Sequence, residues 1–163
     1  MTATYEKIAT TTLGSATATV TFSTISGSYT DLVLIYNGVN SDSNAGMRLQ
    51  VNSDTGSNYS DTQLNGYNTG ANSSRSSNAT AADISFGSTE RTTSIANFMN
   101  YSNTTTYKTV LVRTGLGGGV GAVRASVILW RSTSAITSIS VFREGGQTIS
   151  SGSTFTLYGI KAE

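Results

Sequence analysis

The sequence predicts an all-β protein, an antiparallel sandwich or barrel of about nine or ten strands. Three observations carry this. Apolar and polar residues alternate with period two from end to end of the 163-residue chain, and helical periodicity is hard to find. Short glycine-bearing breakers, Ser26-Gly27-Ser28, Gly145-Gly146 and Ser151-Gly152-Ser153, separate the alternating runs. Ser, Thr, Asn and Gly fill about half of the sequence, a composition suited to hydroxyl-faced strands and polar turns.

The strands follow in order. Tyr5 to Thr11 opens the series. Ala18, Val20 and Phe22 then alternate with Thr17, Thr19, Thr21 and Ser23, which gives a half-buried strand with a hydroxyl outer face. Met47, Leu49 and Val51 alternate with Arg48, Gln50 and Asn52 in the same way. Leu32-Val33-Leu34-Ile35-Tyr36 and Val127-Ile128-Leu129-Trp130 are apolar on both faces, as expected of central strands covered on both sides or lying in a subunit contact. Asp83 to Phe86, Thr92 to Asn100, Tyr107 to Thr114, Ile136 to Phe142 and Thr154 to Lys161 complete the set.

Two segments break the pattern. Residues 53–82 are dominated by Ser, Asn, Gly, Thr and Asp, with Tyr59, Leu64 and Tyr67 as the large apolar groups; they read as a long polar excursion that packs on something. Gly115-Leu116-Gly117-Gly118-Gly119-Val120-Gly121 joins two strong strands and reads as a flexible hairpin tip or a place of close backbone approach. The length and the 37% hydrophobic content suit one core, so residues 1–163 are expected to form a single domain.

Composition narrows the chemistry. The chain has no His, no Cys and no Pro. That removes the imidazole most suited to proton transfer near neutral pH and the strongest ordinary nucleophile, and leaves neither disulfides nor thiolate metal sites. Ten basic and nine acidic residues give a net charge of +1, too small an excess to hold a phosphate backbone or an anionic membrane surface. No apolar run approaches bilayer length, and Met1-Thr2-Ala3-Thr4-Tyr5-Glu6-Lys7 lacks the basic-then-apolar order of a secretory signal, so synthesis and folding in a cytoplasm are expected.

The remaining constellations are weak. The glycine cluster has no following Lys-Ser or Lys-Thr and leads into a strand, so it reads as a turn rather than a phosphate loop. Asp42-Ser43-Asn44-Ala45-Gly46 and Asn52-Ser53-Asp54-Thr55-Gly56 faintly resemble calcium loops but lack the full ligand series, and Asx-turn chemistry explains both. A Ser-Lys pair would have to use Lys7, Lys108 or Lys161. The carboxylates Glu6, Asp31, Asp42, Asp54, Asp61, Asp83, Glu90 and Glu144 are scattered as on an ordinary surface. No catalytic, cofactor or metal residue is assigned. Tyr59 and Tyr67, with Arg75 the nearest cation in sequence, are the candidate exposed platform for a partner or a glycan.

Four places carry a family resemblance: Ser28-Tyr29-Thr30-Asp31-Leu32 before a strong strand, Arg48-Leu49-Gln50-Val51-Asn52 leading through Gly56-Ser57-Asn58-Tyr59, Trp130 followed by Ala135-Ile136-Thr137-Ser138-Ile139, and the closing Phe155-Thr156-Leu157-Tyr158-Gly159-Ile160-Lys161. In order and spacing they resemble small virion proteins of tailed phages, notably those of cyanobacteria. The resemblance implies a jelly-roll β-sandwich, with Tyr29, Leu32, Trp130, Ile136, Ile139, Phe155, Leu157 and Tyr158 in or beside the core. It implies display on a virion, either as a capsid decoration (cement) protein or as part of a tail appendage. The leading expectation is a non-enzymatic decoration protein on the outer capsid surface, bound to the major capsid protein as a homo-oligomer, a trimer favoured, with residues 1–5 as a docking arm. The alternative it leaves open is a tail-fibre or receptor-binding domain that recognises host surface glycans. No cofactor, nucleic acid or membrane is implied.

Overall fold

The computed structural model describes residues 4–43, 45–119, 121–143 and 145–161. Among them are twelve strands and no helix. In chain order these are β1 (Tyr5–Thr12), β2 (Thr19–Phe22), β3 (Asp31–Gly38), β4 (Arg48–Val51), β5 (Tyr59–Tyr67), β6 (Gly70–Ala79), β7 (Ala82–Asp83), β8 (Thr92–Met99), β9 (Lys108–Leu116), β10 (Ala122–Trp130), β11 (Ile139–Phe142) and β12 (Thr154–Ile160). The all-β expectation holds, with more strands than the sequence suggested.

The strands form an eight-stranded sheet, β1-β12-β3-β8-β9-β10-β5-β6, and a four-stranded one, β2-β11-β4-β7, antiparallel throughout. Setting aside the hairpins β5-β6 and β9-β10 leaves β1-β12-β3-β8 opposite β2-β11-β4-β7. That is the eight-strand jelly-roll order, in which the first strand lies beside the last and the chain repeatedly crosses between sheets. The two hairpins then widen one sheet by four strands, and this widening creates the surface of interest.

The core lies between the sheets because each strand alternates. Leu32, Leu34 and Tyr36 of β3, Phe155 and Leu157 of β12, Phe98 of β8, Val110 and Val112 of β9, and Ile128 and Trp130 of β10 are buried on the wide sheet. Val20, Phe22, Leu49, Val51, Ile139 and Val141 face them from the narrow one. Of the residues named by the resemblance, Leu32, Trp130, Ile136, Ile139, Phe155 and Leu157 are buried, and Tyr29 packs against the same cluster. Tyr158 is half-buried, its ring edge-on to Tyr5 at 6.5 Å between centroids.

Three expectations require correction. Residues 53–82 are not an irregular excursion: they carry β5, β6 and the first residue of β7. The strand was illegible because its buried positions include Asp61 and Gln63, satisfied within the fold, rather than aliphatic residues. The expected strand from Asp83 shrinks to Ala82–Asp83, and the one from Ile136 begins at Ile139. There Asn52 intervenes: its Oδ1 accepts the N–H groups of Thr137 and Ser138, at 2.8 and 3.1 Å, and holds that backbone off the sheet. Of the expected docking arm, residues 1–3 lie outside the described residues, and Tyr5 is already paired with Ile160 in the sheet.

The glycine-rich segment is a hairpin connection, as expected, with Val120 outside the described residues. Gly118 also meets the close-approach reading, since a Cβ there would fall 2.2 Å from the Glu90 carboxyl carbon.

Candidate functional site: an apolar trough on the wide sheet

Alternation that fills the core also fixes what the outer face carries. On β10, Ser126, Ile128 and Trp130 point inward and are buried, so Val123, Ala125 and Val127 point outward and are exposed. Register supplies their neighbours. Val127 stands between Leu111 of β9 and Thr62 of β5, and Ala125 between Arg113 and Leu64. Val123 stands between Gly115 and Gly66. Beyond β9 the rows continue to Asn97 and Ile95 of β8, and beyond β5 to Arg75, Ser73 and Ala71 of β6.

These outward groups line two adjoining depressions, of about 1130 and 660 Å³, which share Leu64, Arg113 and Ala125 and so form one trough. The larger is lined from β8 to β6, four strand spacings apart, or about 19 Å if the sheet were flat.

The trough is apolar and open. Val123 and Leu64 keep 65% and 62% of their surface accessible, and Val127, Met99 and Leu111 are about half exposed. They form a contiguous patch, and exposed patches of that kind mark contact surfaces. Covering each half-exposed Val or Leu contributes about 1 kcal/mol, half of full burial. Within the strands of this five-strand face, the charged outward groups are Arg113 and, at the rim opposite Thr62, Arg75; no carboxylate within these strands stands with them. Glycines at two crossings, Gly115 and Gly66, leave its floor low beside Val123.

The inner side of the same strands is polar where the sheet widens. Arg124 turns inward: its Nε donates to Asn65 Oδ1 at 2.7 Å, its Nη1 donates to the Ser85 carbonyl at 2.8 Å, and its guanidinium lies 4.4 Å over the Phe86 ring. Burial lowers its pKa, partly offset by Asp83 and Asp61. Asp61 accepts from Gln63 Nε2 at 2.7 Å and from Ser76 Oγ at 2.6 Å. Asp83 carries an ion pair with Arg48 at 3.2 Å, and burial raises its pKa despite that partner. These groups are satisfied within the fold, by one another and by neighbouring backbone.

The structure does not assemble the expected Tyr59, Tyr67 and Arg75 platform. Tyr59 is wholly buried; its hydroxyl accepts the Val51 N–H at 3.0 Å and donates to the Asp54 carbonyl at 3.2 Å. Burial pushes its pKa up to about 12. It sits at one end of β5 and Tyr67 at the other, about 27 Å apart along the strand. Tyr67 is exposed, and its hydroxyl accepts from Asn72 Nδ2 at 2.9 Å. Arg75 shares the outer face with Thr62, whereas Tyr67, an odd number of positions from Thr62 on β5, belongs to the other face.

The residues missed, Leu64, Met99, Leu111, Arg113, Val123 and Val127, left one legible trace: Val127 to Trp130 is apolar on both faces, the pattern of a strand with a second contact. At the second weak constellation, Asp54 makes an Asx turn to the Gly56 N–H at 2.8 Å and uses its other oxygen for Trp130 and Asn58. At the first, Asp42 pairs with Arg143 at 2.7 Å; Asn44 lies outside the described residues.

Fold and face together define the class: a jelly-roll domain, widened by two hairpins, that presents an open apolar trough. No family model matches the chain, and no curated protein matches it. A similar solved structure is the crystal structure of a protein of unknown function from Shewanella oneidensis MR-1, 12% identical, covering 98% of this chain and 80% of that one, with a TM-score of 0.25. So loose a likeness carries no argument, and the fold assignment rests on strand order and register.

Proposed function

We propose that the chain is a non-enzymatic structural protein of a phage particle, a decoration protein that docks on the outer capsid surface through the apolar trough. The carrying observation is the trough itself: a contiguous exposed apolar surface with Arg113 in its middle and no carboxylate among its lining residues. Its complement is a capsid segment of apolar side chains carrying an acidic group, which would bury the aliphatic side chains and meet the guanidinium. The resemblance to virion proteins and the jelly-roll order support the setting. On a lattice, many such modest contacts made by repeated copies add up to firm attachment.

Quantitative mass spectrometry of purified particles tests the reading. Copy number comparable to that of the major capsid protein is expected, and absence from particles overturns it.

The glycan-binding alternative retains one supporting observation: Tyr67 is exposed beside a chain of amides, in which Asn72 donates to its hydroxyl and Asn65 donates to Asn72 at 3.1 Å. An aromatic ring bordered by amides is suited to a sugar. A few copies per particle and loss of host adsorption in Tyr67→Ala would favour that reading.

A further inference from the structure

An edge strand presents unpaired N–H and C=O groups, and sheets ordinarily blunt such edges with charge, proline, bulges or brevity. The narrow sheet ends on β2 and β7, of four and two residues. The wide sheet ends on β1 and β6. On β1 there is a register shift between Lys7 and Ala9, two charged residues, Glu6 and Lys7, and an ion pair from Glu6 to Lys161 at 2.7 Å.

β6 has little of this. It is ten residues long, its pairing partner is β5, and Gly70 through Arg75 are exposed. It carries one charge, Arg75, and no proline, and its register shift lies beyond Ser76. Its remaining side chains are Gly, Ala, Ser and Asn, small enough to admit another strand on either face.

We propose that β6 is a self-association edge, joining two copies of this chain antiparallel across a twofold axis. Identical strands can pair with one another in this isologous way, each residue i meeting j as j meets i. Centring the axis on the unshifted run from Gly70 to Ser76 sets Ser73 opposite its own copy and Arg75 opposite Ala71. No like charges then face each other, and the two wide sheets become one. The trough faces cannot join two copies so readily, since the lining of each offers Arg113 and no carboxylate to its twin. The contact is twofold, so it builds pairs rather than the trimer favoured from the sequence. It does not depend on the capsid reading.

The chain's lack of cysteine makes the test clean. Opposed antiparallel residues have Cα atoms about 4.5–5.5 Å apart, within disulfide reach. Under mild oxidation Ser73→Cys is expected to form a covalent dimer, and Thr10→Cys on the opposite edge is not. In sedimentation equilibrium the unmodified chain should run at twice its monomer mass. Ser73→Lys, which sets like charges face to face on the axis, should run as a folded monomer with an unchanged circular dichroism spectrum. A monomeric unmodified chain overturns the proposal, as does a trimer indifferent to Ser73→Lys. A dimer that Ser73→Lys leaves intact overturns it as well.

Discussion

The indole N–H of Trp130 donates to the Asp54 carboxylate at 2.6 Å, joining the end of β10 to the turn that launches β5. The same carboxylate accepts from Asn58 Nδ2 and the Gly56 N–H, both at 2.8 Å. Trp130 is nearly fully buried, so its donor has little water to turn to. Asp54→Ala is expected to cost about 1–3 kcal/mol, the penalty of a buried donor losing a charged acceptor. Trp130→Phe in that background should cost less than in the unmodified chain, because the donor is already unpaired. A urea-denaturation double-mutant cycle measures the coupling.

The same site gives stability a defined pH dependence. Burial works against the charged form of Asp54, but hydrogen bonds from Trp130, Asn58 and Gly56 outweigh it and hold the carboxyl below its ordinary value of 3.8. The contribution is therefore complete above the unfolded-state pKa and disappears as pH falls through the lower folded value. Asp83 runs the other way, since burial raises its pKa and its contribution grows as pH falls. Thermal midpoints between pH 6 and 2.5 should show Asp54→Asn well below the unmodified chain at the upper end and the gap closing at the lower.

Tyr59 contributes to the core, not to a binding platform. Tyr59→Phe keeps the ring but leaves the buried Val51 N–H without its 3.0 Å acceptor, so a loss of about 1–2 kcal/mol is expected. Chemical denaturation measures it, and binding to host cells should not change.

Gly46 lets its own backbone pack closely against the segment after β7. A Cβ added there would lie 2.1 Å from the Ser85 carbonyl oxygen, a backbone atom that cannot rotate away. Gly46→Ala should destabilise by at least about 1–3 kcal/mol, as overpacking does. Differential scanning calorimetry would show the lowered midpoint.

Jelly-roll strands with aliphatic alternation, such as β2, β4 and β12, were legible because one face of each is core and the other water. β5 and β6 were not: Asp61 and Gln63 take inward positions and β6 carries no apolar side chain larger than Ala, so the period-two signal that marks strands is missing. The trough was harder still. Val123, Ala125 and Leu64 are ordinary residues one at a time, and only the pairing of β10 with β5 makes them neighbours. Tyr59 misled for the converse reason, because polar sequence neighbours do not reveal that a strand's first residue enters the core.

Co-sedimentation with purified capsids stripped of this protein tests the trough most directly, comparing the unmodified chain with Val127→Asp. Val127 is half exposed and Arg113 stands two positions over on the neighbouring strand, so the substitution should leave the fold intact while placing a carboxylate in the apolar floor. The expected result is saturable capsid binding by the unmodified chain and at least about tenfold weaker binding by Val127→Asp, matching the ~1.4 kcal/mol of a lost apolar contact. Equal binding by the two folded proteins would contradict the assignment of the trough as the docking surface.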